Sequence, residues 1–499
     1  MTRRTLPRLA PRFMLWLALL AVAGCSVAHD WPSPSPSPSN MGLRAPPTPP
    51  PPNVQASGWH GTLWRGPAFG APAQPQARDC QRAPQMMELA GPELAQGSAR
   101  REGLGRARSS DVIPATPTIS ALTDSKTAAA PAAERPTPMP GALPQPTPRR
   151  PAYEPVSAGV VDDNADFGEY LAYRRRAGQL NVRDRDISER YRLTVHDAAG
   201  RAVPDALVSV HAGSRAVPLW ARTDSAGEAW LHPRASGVSD AVLEVRVSKP
   251  SADGELRGMA LLRRGQRDQL QVRLDGALPT ERARLDLLFL VDATGSMGDE
   301  IDKLKRSMRS IAEQVAALPS QPQICFGLVA YRDRGDEFVV RAWDFSHDLG
   351  AFQQALAGLR AAAGGDMPEA LNEALHTAVH RMSWRGDGAT RLVVLVADAP
   401  PHLDYGAPWY DDDMQGALAR GIKLFAVGAS GLDKSGEYIY RQMAQFTGGR
   451  FIFLTYDKAA DPSSGPGRET VHDVANYSVE TLDRLVVRLV REELAKRPG

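Results

Sequence analysis

The chain runs to 499 residues, long enough for more than one folded domain, and its 59 Lys and Arg residues nearly balance 57 Asp and Glu, for a formal net charge of +2. That balance argues against nucleic acid as a partner, because a phosphate-binding surface needs a marked basic excess. The 3 cysteines, Cys25, Cys80 and Cys325, do not suggest a disulfide framework or a sulfur-ligated metal. Cys80 stands in a Pro-rich stretch and Cys325 in an apolar run read as a core strand, so no disulfide is expected between them.

Residues 2–12 carry Arg3, Arg4, Arg8 and Arg12, and Phe13 to Gly24 form an apolar run too short to span a bilayer. A basic start followed by a short apolar stretch reads as a signal peptide over residues 1–24. It ends in Val22-Ala23-Gly24-Cys25, which resembles the lipobox of bacterial lipoproteins. The resemblance implies cleavage before Cys25, lipidation of its thiol and a membrane anchor in the bacterial cell envelope. Ser26 follows instead of the aspartate associated with inner-membrane retention, which favours the outer membrane. The alternative is a plain secretory peptide in which Cys25 is incidental.

From 25 to 160 the chain is dominated by Pro, Ser, Ala, Gly, Gln and Arg, as in Ser33-Pro34-Ser35-Pro36-Ser37-Pro38 and Pro49-Pro50-Pro51-Pro52. Such a composition buries too little apolar surface to fold, so a disordered tether is expected, with a reach of roughly 60 Å or more. Trp59, Trp64 and Phe69 interrupt it, and Arg100-Arg101 and Arg149-Arg150 suit anionic surfaces. Residues 161–187 form a short helical transition in which Phe167, Tyr170 and Leu171 share a face ahead of Arg174-Arg175-Arg176. Asp162, Asn164 and Asp166 imitate a calcium loop, but Phe167 stands where that loop needs Gly and Tyr173 where it needs Glu. A solvated helix start is the reading that remains.

Residues 188–276 alternate polar and apolar in short runs: Tyr191 to His196, Ala206 to Val210, Glu228 to Leu231 and Val242 to Val247, separated by turns such as Asp197-Ala198-Ala199-Gly200. This predicts a small all-β sandwich. With Gly200, Val203, Pro204, Ala206 and Gly227 at the turns, it is similar to transthyretin-like and carboxypeptidase-regulatory-like modules, which implies a spacer or stalk.

Over 284–497 apolar strands alternate with helices. Leu285 to Val291 is nearly unbroken apolar, as a central parallel strand covered on both faces must be. Ile301, Leu304, Met308, Ile311, Val315 and Leu318 then recur at helical spacing over 298–317. Runs at 324–331, 338–343 (an antiparallel edge), 393–397, 422–427 and 451–454 complete a six-stranded sheet. Helices are expected near 349–361, 368–382, 411–420 and 436–446, and at the C-terminus with Leu482, Leu485, Val486, Leu489 and Val490 on one face. The fold class is therefore α/β, a doubly wound, mostly parallel sheet, preceded by the β-sandwich and the tether.

Between the first strand and the first helix, Asp292-Ala293-Thr294-Gly295-Ser296-Met297 places a carboxylate and two hydroxyls in one loop, where open α/β sheets hold their ligands. Three hard oxygen donors suit Mg²⁺, which keeps coordination positions for water or for a partner's carboxylate. Read without a metal, the same residues form a turn in which Thr294 or Ser296 caps the helix. The segment resembles the first loop of the metal-ion-dependent adhesion site of von Willebrand factor type A domains, Asp-x-Ser-x-Ser, with Thr294 keeping the hydroxyl. Gly364-Gly365-Asp366-Met367-Pro368-Glu369 falls where the second loop belongs, and Val393 to Asp398 where a strand delivers the third-loop aspartate.

The resemblance implies that Asp292, Thr294 and Ser296 hold Mg²⁺ (or Mn²⁺ or Ca²⁺), that Asp398 supports it through water, and that Asp366 stands where many members carry threonine. It also implies a protein partner offering an acidic residue. A direct Asp366 ligand would make the ion a weaker electrophile toward such a partner.

No catalytic residue is expected. Thr294-Gly295-Ser296-Met297-Gly298 imitates the G-x-S-x-G elbow of α/β-hydrolases, but lacks the first glycine, and Asp398 and His402 are too close in sequence to complete a relay. Metal-assisted hydrolysis would need Asp366, Glu369 or His402 as base. Arg334-Gly335-Asp336 is read as a solvated loop, His402 and Asp404 as neighbours of the loop site, and Tyr410-Asp411-Asp412-Asp413 as a helix start.

Overall fold

The computed structural model describes residues 73–89, 155–178, 180–279, 282–364, 367–386 and 388–497. Cys25, the signal peptide and most of the Pro-rich stretch lie outside these residues, and so does Asp366. In chain order come β1 (Met86–Leu89), β2 (Ser157–Val161) and α1 (Phe167–Ala177). A run of strands follows: β3 (Tyr191–His196), β4 (Leu207–Ala212), β5 (Arg215–Arg222), β6 (Glu228–Leu231), β7 (Val242–Ser251), β8 (Gly254–Arg263) and β9 (Gln269–Arg273). The remainder alternates: β10 (Arg284–Asp292), α2 (Ile301–Ala316), β11 (Gln323–Tyr331), β12 (Val340–Ser346), α3 (Leu349–Gly358), α4 (Leu371–His380), β13 (Thr390–Ala397) and α5 (Tyr410–Arg420). Last are β14 (Ile422–Gly428), α6 (Lys434–Thr447), β15 (Arg450–Lys458), β16 (Asp461–Pro466), β17 (Val479–Thr481) and α7 (Leu482–Ala495).

The unbroken apolar character of β10 follows from its two burials. Leu285, Leu287, Phe289 and Val291 enter one core with residues of α2, α3 and α7, while Leu288 and Leu290 enter the other with α4, α5 and α6. Parallel strands run in the order β11-β10-β13-β14-β15, the doubly wound arrangement. All six expected strands are present, but the sheet has ten. On one side β1 pairs antiparallel with β12, so β12 is not the edge; on the other, β2 and β17 extend the sheet beyond β15.

Two expectations fail here. The tether expected over 25–160 includes residues 86–89 and 157–160, yet both stretches lie in strands of the main sheet. A four- or five-residue strand that completes an existing edge needs little apolar patterning of its own, because the sheet's unpaired backbone groups supply the attraction. The second failure concerns the cysteines. Cys80 and Cys325 form a disulfide with Cα atoms 6.0 Å apart, fastening the β1 segment to the buried strand β11. The transition helix also differs: Tyr170 and Tyr173 are its buried residues, and Arg441 of α6 lies 3.6 Å over the Tyr173 ring.

The β-rich module consists of a sheet ordered β6-β3-β9 and another ordered β5-β4-β7-β8. Alternation along β3 and β4 buries Leu193, Val195, Val208 and Val210 in a common core with Val245 and Val247. The module seats against the amino ends of the parallel strands. Asp205, 3% exposed, meets Arg391 at the start of β13 (2.9 Å), Arg222 (2.6 Å) and Lys249 (3.4 Å). Burial alone would favour its neutral form, but the three cations outweigh it and hold the carboxyl far below its usual range. Lys423 at the start of β14 bridges Asp224 (2.6 Å) and Glu493 (2.7 Å).

Asp205→Ala leaves three cations around an emptied carboxylate position. The expected cost is about 3–5 kcal/mol of stability in denaturant unfolding; a change within about 0.5 kcal/mol, as for an ordinary surface site, would show that the network does not hold the module. Cys80→Ser is expected to cost about 2–4 kcal/mol by the same measurement. An unchanged midpoint would mean that the β1 segment adds nothing to the sheet.

Candidate metal centre

Asp292 ends β10, and Asp398 follows the last residue of β13, with Val291 level with Val396 between these adjacent parallel strands. Since β11 lies on one side of β10 and β13 on the other, both carboxylates fall at the switch point of the sheet, where a crevice opens between diverging connections. Asp292 is fully buried. Its Oδ1 accepts from the Thr294 backbone N–H (2.9 Å) and hydroxyl (2.6 Å), and the Thr294 hydroxyl lies 3.1 Å from that of Ser296. Neither the 3₁₀ turn Gly295–Asp299 nor α2 has a side-chain cap, so these hydroxyls serve the carboxylate rather than the helix. Among the described residues Asp292 Oδ2 is buried without a hydrogen-bond partner. Thr294 is buried; Ser296 faces solvent.

The neighbouring loop is latched on by backbone bonds from Gly295 N–H to Ala363 O (2.8 Å) and from Ala362 N–H to Ala293 O (3.1 Å). Gly364 has φ 62°, and a Cβ there would stand 2.8 Å from Glu369 Oε1 and 2.9 Å from Thr294 Cβ, so the close approach requires glycine. This packing brings in Glu369, the last residue of the second-loop segment. It is 1% exposed, and its Oε2 has no hydrogen-bond partner among the described residues. Burial, then the charges of Asp292, Asp333, Asp336 and Asp398, push its carboxyl up to about 9. Burial and the Asp398 charge likewise raise Asp292.

Carboxylates raised by one another are stabilised by a proton or by a cation among them. The donors are hard oxygens, and a buried carboxylate oxygen lacks a partner, which fits Mg²⁺, Mn²⁺ or Ca²⁺. Asp292, Thr294 and Ser296 would hold the ion, with Asp398 and Glu369 beside them. Asp366, expected as a further ligand, lies outside the described residues.

The surrounding residues brace this end. His402 stacks on Tyr405 with ring centroids 3.5 Å apart, its Nδ1 2.7 Å from Asp404 and its Nε2 3.5 Å from Asp333. Burial opposes the imidazolium, but both carboxylates outweigh it and raise the His402 pKa. Arg334-Gly335-Asp336 is not the solvated loop expected from sequence. Arg334 binds Glu373 (2.6 Å), and Asp336 Oδ2 accepts from the backbone of Asp333 (3.0 Å) and of Gly364 (3.1 Å). Asp411, Asp412 and Asp413 do occupy the first turn of α5.

Fold and donor set define an open α/β domain with an oxygen-lined loop site. Residues 286–460 match the family model of the von Willebrand factor type A domain, and the chain carries a domain of that family. An alpha-protein kinase (vwkA) of Dictyostelium discoideum is 33% identical over 147 residues, 28% of this chain and 22% of that protein. The von Willebrand factor A domain-containing protein 7 of Rattus norvegicus is 38% identical over 93 residues, 19% of this chain and 10% of its own length. A putative ariadne-like RING finger protein of Acanthamoeba polyphaga mimivirus is 31% identical over 121 residues, 24% of this chain and 12% of the relative. The chain thus spans less than a quarter of each of these relatives. A pilus adhesin, SpaC, from Lactobacillus rhamnosus GG aligns at TM-score 0.28 and 11% identity over 54% of this chain and 36% of that one, too weak a likeness to bear on function.

Because Asp292 and Glu369 are raised in the fold, the native chain holds more protons than the unfolded chain above the ordinary carboxylate range of about 4. Their contribution to stability is complete below that range and is lost as pH rises toward the Glu369 value of about 9. In chelator, the melting temperature is therefore expected to fall between about pH 5 and about pH 9 more steeply for the parent than for Glu369→Gln, and Mg²⁺ is expected to flatten the parent's slope. Equal slopes for parent and variant, indifferent to Mg²⁺, would refute the shared-carboxylate account.

Proposed function

We propose that this chain is a lipid-anchored protein of the bacterial cell envelope that binds a protein partner through a divalent ion held by Asp292, Thr294 and Ser296. The observation that carries this reading is the buried Asp292 carboxylate at the carboxyl end of the sheet, one oxygen satisfied by the loop and the other without a hydrogen-bond partner among the described residues. Mg²⁺ there retains water-filled positions, and an acidic side chain of the partner is the natural group to replace one of those waters. Exposed Ser296 and Met367, the latter 46% exposed, supply the polar and apolar surface beside it. The β-rich module, similar in its turns to transthyretin-like and carboxypeptidase-regulatory-like stalks, occupies the opposite end and serves as a spacer. The Val22-Ala23-Gly24-Cys25 segment supports the lipid anchor at Cys25, and Ser26 favours the outer membrane. Asp366 is assigned as a further ligand on the motif alone. The protein acts by binding, not by catalysis.

A second reading, a scaffold whose ion only holds the loops together, is favoured by the mutual repulsion around Glu369. Calorimetry of Mg²⁺ and Mn²⁺ binding to the full chain, beside Asp292→Ala and Asp398→Ala, tests both. Binding lost in Asp292→Ala, with the fold retained and a melting temperature equal to the parent's in chelator, is the outcome expected of a bridging ion. A marked loss of stability in Asp292→Ala would establish the structural ion instead, and absence of binding by the folded parent would remove both.

A further inference from the structure

A second group of metal-ligating side chains lies away from the carboxylate loops, between α4 and α5. His376 and His380 are one turn apart on α4 and so present their imidazoles on the same face, with ring centroids 4.5 Å apart. Asp413, in the first turn of α5, reaches across: its Oδ1 lies 3.0 Å from His376 Nδ1 and 2.9 Å from His380 Nε2. One ligand atom from each residue falls within 4.8 Å of the other two. Asp413 is 1% exposed, and its second oxygen, Oδ2, is buried with no hydrogen-bond partner among the described residues. The imidazole side chains are 15% and 18% exposed, which leaves a route from solvent.

Room for this arrangement is built into α5. A Cβ at Gly416 would stand 2.8 Å from His380 Cε1 and 2.9 Å from its Nε2. A helix-interior glycine costs stability relative to alanine, and here it admits the imidazole.

We propose that His376, His380 and Asp413 form a second metal site, selective for Zn²⁺ over Mg²⁺. Two imidazoles and a carboxylate make an N₂O donor set that suits Zn²⁺, leaving a fourth position to water, whereas Mg²⁺ prefers oxygen alone. Arg420 sets the affinity. Its Nη2 lies 3.3 Å from His380 Nδ1 and can only donate, so without metal Nδ1 accepts and the proton of this ring sits on Nε2, facing Asp413. Coordination through Nε2 moves that proton to Nδ1, where it opposes the guanidinium. A residue offering an acceptor at 420 would instead fix the metal-bound tautomer, the usual outer-shell device.

The test is Zn²⁺ titration of the full chain in excess Mg²⁺ by calorimetry, with Co²⁺ as an optical probe and circular dichroism to confirm folding. One equivalent of Zn²⁺ is expected to bind, Co²⁺ to give the absorption bands of a low-coordinate site, and Zn²⁺ to abolish them. His380→Gln and Asp413→Asn are each expected to weaken binding by more than the roughly 10- to 100-fold that loss of an outer-shell partner costs, and Arg420→Gln to tighten it by about tenfold. His376→Ala, at a partly exposed position where alanine favours the helix, is the variant least prone to unfolding and is also expected to lose the Co²⁺ bands. Asp292→Ala is expected to retain them, which separates this site from the oxygen-donor loops. A folded parent that takes up no Zn²⁺ in excess Mg²⁺, or a folded His376→Ala that binds Zn²⁺ as tightly as the parent, overturns the proposal.

Discussion

The repulsion among Asp292, Asp398 and Glu369 organises the carboxyl end of the sheet. A carboxylate removed from water costs several kcal/mol unless something compensates its charge. At the amino end the compensation is basic: Asp205 has Arg391, Arg222 and Lys249; Asp286, fully buried within β10, has Arg385 at 2.6 Å; and Asp224 and Glu493 share Lys423. The groups acting on Glu369, after its burial, are four further carboxylates. One end of the same strands is therefore closed electrostatically from within, while the other is completed by protons or by an ion from solution. This asymmetry, more than any single distance, sets the Asp292 loop apart from the amino end of the sheet.

The asymmetry is also mechanical. The β-rich module docks where the basic residues are, with Arg391 and Lys423 each the second residue of its strand and each buried in contacts with the module. Removing either partner of such a pair would strand the other in a nonpolar setting, so the charges fix how the two parts meet. A module joined in this way is held in a fixed orientation at the end of the sheet opposite the Asp292 loop.

Much of this was legible in the sequence, for reasons that differ by element. The double-sided burial of β10 and the helical spacing of Ile301, Leu304, Met308, Ile311 and Val315 are written in local periodicity. Asp292, Thr294 and Ser296 lie within five residues, so their hydrogen-bonded cluster was readable as a motif. Glu369 was visible in the Gly364-to-Glu369 segment, but its burial against Thr294 depends on the tertiary latch at Ala363. The Cys80–Cys325 pair is separated by 245 residues and joins a Pro-rich stretch to a core strand, so composition around either cysteine misleads. β1 and β2 were lost for the same reason: they borrow their order from edges already formed.

The helix pair α4 and α5 shows why an unpartnered buried oxygen persists there. Asn372 donates to His402 O at 2.6 Å and accepts from Tyr410 N–H at 2.8 Å, tying the start of α4 both to the loop beside the carboxylates and to the start of α5. Gly416 brings α5 against His380, and the Tyr410 hydroxyl is held by Arg183 O at 2.6 Å. With the spacing and rotation of the helices fixed at these points, a small shift that would bring a donor to Asp413 Oδ2 would have to break a buried hydrogen bond. A net loss of about 1–3 kcal/mol for each group left unsatisfied makes that exchange unfavourable. The oxygen therefore remains available to a ligand delivered from solvent, and the flanking imidazoles determine that such a ligand be a nitrogen-seeking cation.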